Sequence, residues 1–111
     1  MDSNTFGTWS EKAAAWGVEY RRTLRDRPVR AQTRPGEIAA QIADFAPEIG
    51  QDMETIFADF ERIIVPGMTH WQHPRFFAYF PANAAPVSVV AEYLVTAMAA
   101  QCMLWQTSPA A

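Results

Sequence analysis

Apolar residues recur at spacings of three and four across residues 5–24, where Phe6, Trp9, Ala13, Trp16, Tyr20 and Leu24 share one side and Lys12, Glu19, Arg21 and Arg22 fall largely off it. This period predicts a first amphipathic helix with large rings on its seam. Such a stripe needs a surface to lie on, either the rest of this chain or a second copy of it. Residues 25–35 have no apolar period and contain Pro28 and Pro35, which predicts an extended connector. A short helix is expected over residues 37–45, with Ile38, Ile42 and Phe45 on one face and Pro35 near its first turn. Pro47 and Gly50 end it. From Asp52 the helical period returns: Met53, Ile56, Phe57, Phe60, Ile63 and Ile64 share a face, with Asp52 and Glu54 at the positive end of the dipole and Pro66 and Gly67 as the stop. Pro86 suits the first turn of a last helix in which Val87, Val90, Ala91, Leu94, Val95, Met98 and Cys102 are apolar nearly all round, ending at Thr107, Ser108 and Pro109. That pattern predicts burial on most sides. Four helices without a convincing strand define a mainly α fold class. The last helix is too apolar for three others to cover, so the chain reads as a piece of something larger.

Between the third and fourth helices lies a stretch of another kind, residues 66–81, PGMTHWQHPRFFAYFP. Trp71, Phe76, Phe77, Tyr79 and Phe80 place five rings within ten residues, and Pro66, Pro74 and Pro81 interrupt either regular structure. The rings are therefore presented from tightly turned, irregular backbone, as pocket and interface loops are. Phe76 and Phe77 are expected to plug the loop into the core. Trp71, Tyr79 and Phe80 are candidates to line a pocket for a flat apolar ligand.

Composition narrows the function. The 111 residues carry a formal net charge of −3, which argues against a nucleic-acid partner because phosphate binding rests on many Lys and Arg. Charge is unevenly placed: seven of nine bases lie between Lys12 and Arg34, and residues 37–61 hold seven acids and no base. Two solvated faces that attract weakly account for this. The single cysteine, Cys102, excludes an internal disulfide, fits a reducing compartment, and reads as a small core residue in its apolar run. Residues 86–105 come nearest to a membrane span, but Glu92 and Gln101 favour a buried helix. With no basic-then-apolar start, the expectation is a cytoplasmic, soluble protein without a membrane partner.

No complete catalytic site is legible. His70 and His73 are three apart, yet Pro74 opposes a helix there and no carboxylate or thiol follows, so hydrogen-bonded loop histidines are expected and not a metal site. Ser88 and Ser108 lack a nucleophile's turn and base, and the five glycines form no phosphate cradle.

Residues 61–110, with a Pro-Gly, then Thr-His-Trp, then His-Pro before Phe-Phe-Ala-Tyr-Phe-Pro, and a Trp shortly before Ser-Pro-Ala, closely resemble the N-terminal portion of the group II pyridoxal-phosphate-dependent amino-acid decarboxylases, in particular the aromatic-L-amino-acid decarboxylases. The first sixty residues resemble them more loosely. The resemblance implies an obligate homodimer of fold type I, α/β when complete, whose N-terminal helices lie across the partner subunit. It implies that residues 1–85 form a helical dimerisation segment with the pocket loop at 66–82, and that residues 86–111 begin the large cofactor-binding domain. It places Trp71, Tyr79, Phe80, Pro81 and Ala82 on the wall of the substrate side-chain pocket, and Gln101 and Met103 in the partner's active site. Animal members commonly have Thr at Ala82, and Ile and Phe at Gln101 and Met103, departures that bear on which amino acid is taken. The family's Schiff-base Lys, pyridine-pairing Asp, stacking His and most of its phosphate site come later in the chain, so these residues alone are not expected to catalyse decarboxylation or hold pyridoxal 5'-phosphate. The implied partners are the remainder of the decarboxylase, a second copy, and an amino-acid substrate. Two alternatives stay open: a non-catalytic helical interaction protein, and a decarboxylase of an acidic or diamino acid.

Overall fold

The computed structural model of the chain describes residues 1–80 and 84–110. It divides into two units, Met1–Tyr79 and Phe80–Ala111, and the described residues contain helices and turns but no strand.

In the first unit, α1 spans Ser3–Thr23. Asp2 caps it: its Oδ1 accepts the Thr5 N–H at 2.7 Å, satisfying one of the donors that a helix start leaves unpaired and holding the Asp2 carboxyl below its ordinary range. A 3₁₀ turn, Leu24–Asp26, closes the helix and buries Leu24. α2, Met53–Asp59, begins in the same manner, with Asp52 accepting the Thr55 N–H at 2.8 Å. It widens into a π-turn, Phe60–Ile64, where the Val65 N–H reaches back to the Phe60 carbonyl, and ends in one turn, α3, Val65–Gly67. Pro66 has no N–H to offer the Arg62 carbonyl, so a regular α ladder could not pass this point. The wider turn also resets which side chains face inward. Ile63 and Val65 are buried, whereas Ile64, expected on the inner face, is 38% exposed.

The ring stripe of α1 finds its surface within the chain. Trp9 lies 5.4 Å from Phe57, and Trp16 meets Phe60 edge-on at 4.9 Å while stacking on Tyr20 at 5.2 Å. Trp9 and Trp16 are thus engaged on α2 and its π-turn, so the rest of this chain supplies a surface for that part of the stripe. Phe6 and Ala13 remain exposed. Lys12 completes the pairing of the helices with an exposed ion pair to Glu54 at 2.8 Å.

The helix expected at residues 37–45 is absent. Gly36 adopts φ 84°, a left-handed conformation that turns the chain, and one 3₁₀ turn, Ala39–Gln41, follows before Ile42 becomes extended. The face that would have stabilised a longer helix has nothing to pack on: Ile42 and Phe45 are exposed, and only Ile38 docks, against Gly67. A Cβ at Gly67 would come within 3.0 Å of the Ile38 side chain, so glycine there permits the contact.

The second unit contains α4, Pro86–Ala97, with Pro86 at its start. The helix is shorter than its apolar run. Ala99 adopts φ 48°, its N–H bonds the Thr96 carbonyl at 3.0 Å, and the Ala100 N–H bonds that of Val95 at 3.2 Å. This is the Schellman stop, built here on alanine in place of glycine. Cys102 therefore lies beyond the helix and is exposed, contrary to the core role expected of it. The expected burial of the helix also fails: Val87, Val90, Leu94 and Met98 are between 54% and 74% exposed. No helix among the described residues is long and apolar enough to cross a membrane.

Candidate functional site: the aromatic loop and its histidine anchors

The loop after α3 is held by backbone bonds at both histidines. The His70 N–H donates to the Val29 carbonyl at 2.8 Å, tying the loop to the connector; His73 N–H then bonds His70 O, and Phe76 N–H bonds His73 O, each at 2.9 Å. The result is two successive turns around Pro74. His70 and His73 are 5% and 3% exposed, so their ring nitrogens need partners.

At His73 those partners assign the protons. The Arg75 N–H donates to His73 Nδ1 at 3.0 Å, so the ring is neutral at that nitrogen and its Nε2–H donates to the Arg25 carbonyl at 3.2 Å. Tyr20 Oη lies 3.0 Å from His70 Nδ1. Burial pushes the Tyr20 hydroxyl up and so keeps its proton, while burial first, then the charges of Arg27 and His73, holds His70 below the ordinary histidine value. Between a neutral hydroxyl and a neutral imidazole the tautomer of His70 sets which of the two donates. Arg27 caps the cluster, its guanidinium 5.2 Å over the Tyr20 ring. The sequence reading placed Tyr20 on a packing stripe and missed this polar tie. Its signal was the tyrosine hydroxyl at the end of an aromatic seam, which requires a partner once the ring is covered.

On this base three rings stack. Trp71 lies 5.0 Å from Phe76 and 5.7 Å from Tyr79, the latter with planes 21° apart. Tyr79 is held at φ 54°, a region that a side-chain-bearing residue rarely occupies. Trp71 is 43% exposed and Tyr79 83% exposed, so the stack offers ring faces outward. Phe76 is half-buried against Trp71, but Phe77 is 89% exposed and does not plug the loop as expected. Phe80 opens the second unit and is also exposed; Pro81 and Ala82 lie outside the described residues. Gln101 and Met103 are exposed on the turns after α4, where the Gln101 carbonyl accepts from the Ser108 hydroxyl. Within the first unit, then, Trp71 and Tyr79 come together as one surface. An exposed aromatic surface of this kind is chemically suited to packing against flat apolar groups.

Among the described residues the chain is a helical segment carrying an aromatic loop, and comparison with known proteins gives its family. Residues 35–111 match the model of the pyridoxal-dependent decarboxylase conserved domain. All of the chain aligns with 4-hydroxyphenylacetaldehyde synthase of Rhodiola rosea, 39% identical over 111 residues and 23% of that protein, and with tyrosine decarboxylase 1 of Narcissus pseudonarcissus, 40% identical and 22% of its length. The crystal structure of Catharanthus roseus tryptophan decarboxylase in complex with L-tryptophan superposes with a TM-score of 0.90 at 28% identity, covering 99% of this chain and 24% of that one. The chain belongs to the pyridoxal-dependent decarboxylase family. It spans under a quarter of the length of these relatives.

The described residues do not compose a pyridoxal phosphate site. The chain's single lysine, Lys12, is committed to Glu54 and lies 4.2 Å over the Trp9 ring. The five glycines are dispersed and cradle no phosphate.

Proposed function

We propose that this chain is the substrate-side-chain and subunit-pairing portion of a pyridoxal-phosphate-dependent decarboxylase of aromatic L-amino acids. The remainder of the enzyme supplies the lysine and the cofactor site. The observation that carries the reading is the ring stack of Trp71, Phe76 and Tyr79, pinned from behind by buried histidines and open in front. Such a wall recognises an aromatic side chain by offset or edge contact and sheds water from around it. In the complete enzyme Phe80, Pro81 and Ala82 also contribute to side-chain recognition, and residues 86–111 open the large cofactor-binding domain. The exposed apolar side chains of α4 are covered by the remainder of the enzyme, and the assembled protein is a homodimer in which Gln101 and Met103 reach the partner's pocket.

The test is made on the complete enzyme with a panel of amino acids, scoring amine and aldehyde products, since relatives include proteins named for each. Tryptophan, tyrosine or dihydroxyphenylalanine is expected to be the preferred substrate, and preference for glutamate or diaminobutyrate would overturn the assignment. Tyr79→Ala or Phe80→Ala should lower kcat/KM for the aromatic substrate by about tenfold, the worth of one aromatic contact, with little change in Tm. Mass spectrometry of the purified assembly should find this segment accompanied by a polypeptide region bearing a lysine-linked cofactor. A lone 12.5 kDa species would point instead to a non-catalytic interaction protein.

A further inference from the structure

Two of the three rings are one step from a buried imidazole. Trp71 follows His70 directly, and the Phe76 N–H hangs on the His73 carbonyl. Each imidazole is in turn tied to the α1 side of the unit, His70 by the Tyr20 hydroxyl and His73 by the Arg25 carbonyl. The loop has no regular structure between residues 68 and 80 to hold it otherwise. The stack is therefore positioned from α1, through contacts about fifty residues away along the chain.

We infer that Tyr20 and His70 are a positioning pair: the hydrogen bond between the Tyr20 hydroxyl and His70 Nδ1 sets where Trp71 presents its face, and the pair must readjust when His70 takes up a proton. A protonated imidazole carries a hydrogen on Nδ1 and can only donate there, so the Tyr20 hydroxyl turns to accept it. The titratable and charged groups facing His70 are Tyr20 from α1, Arg27 from the turn after it, and His73 from the loop, and the Arg27 guanidinium opposes a second positive charge. No acid among these groups offsets it. The functional meaning of the pair rests on the pocket reading above, but its test does not.

The experiment uses the intact chain labelled with 5-fluorotryptophan, with the Trp71 fluorine resonance assigned by its loss in Trp71→Phe and the His70 imidazole followed by nitrogen NMR. The Trp71 resonance should move with pH at the midpoint of His70, while that of Trp105 stays still. Tyr20→Phe keeps the ring on Trp16 and removes only the hydroxyl; it should shift the Trp71 resonance at high pH and reduce its response to His70 protonation. His70→Asn retains an acceptor near the Nδ1 position and cannot titrate, so it should preserve the Trp71 resonance and flatten its pH response. A Trp71 signal indifferent to His70 protonation, a Trp71 resonance unchanged in Tyr20→Phe, or a surviving titration in His70→Asn would each overturn the pair. Failure of the substrate panel alone would remove the pocket and leave the positioning intact.

Discussion

The loop entry and α4 make an instructive pair. Both are rich in large apolar side chains, yet His70 and His73 are nearly sealed while Val87, Val90, Leu94 and Met98 stand open. The difference is not hydrophobicity. At the loop entry the His70 N–H and Nδ1 and the His73 Nε2 have partners elsewhere in the unit, Val29, Tyr20 and Arg25, and Arg75 serves His73 Nδ1, so burial is compatible with these hydrogen bonds. α4 needs only area, and none is given to it by its own unit. A chain of this size can complete a small polar-anchored cluster by itself, whereas a helix that is apolar on all sides requires a larger neighbour.

That contrast can be broken by substitution. Ile63→Ala should cost about 3 kcal/mol of stability through lost contacts and a residual cavity, while Leu94→Ala in the same chain should change it by no more than about 0.5 kcal/mol, both read by urea denaturation. Comparable losses would mean that α4 is covered after all. His73→Ala should cost about 1–2 kcal/mol, because the Arg25 carbonyl and the Arg75 amide each lose a partner in a part-buried hydrogen bond. Titration sharpens the comparison further. His70 binds its proton less readily folded than unfolded, so the unfolded chain takes up more protons as pH falls below the ordinary 6.5. Stability should be level above that value and decline below it, and His70→Asn should remove that part of the decline. Last and smallest, Lys12→Ala should alter stability by under about 1 kcal/mol, since its pair with Glu54 is exposed.

Much of this was legible in the residues. The three-and-four spacing located α1 and α2, the prolines and Gly67 marked the stop, and the ring density of residues 66–81 located the candidate site. What escaped had physical causes. The residue 37–45 period promised a helix, but amphipathicity stabilises one only where the apolar face finds a neighbour, and Gly36 turned the chain first. The stop of α4 was invisible because Ala99, the best of helix formers, occupies the left-handed cap where glycine would have announced it. The π-turn rephased Ile64 outward, a shift that no fixed period can encode. The Tyr20–His70 tie joins residues fifty apart, beyond the reach of local pattern.

The Tyr79 backbone carries one more lesson. At φ 54° a residue with a side chain gives up about 1–2 kcal/mol that glycine would keep, and the stacking of its ring on Trp71 recovers only about that much. Exchanging Tyr79 for glycine would thus leave the folding equilibrium nearly where it is and erase the outermost face of the wall. A position that is neutral for self-assembly but costly for recognition is where an engineer would begin to retune the preferred side chain, since variants there can be sampled without first restoring a fold.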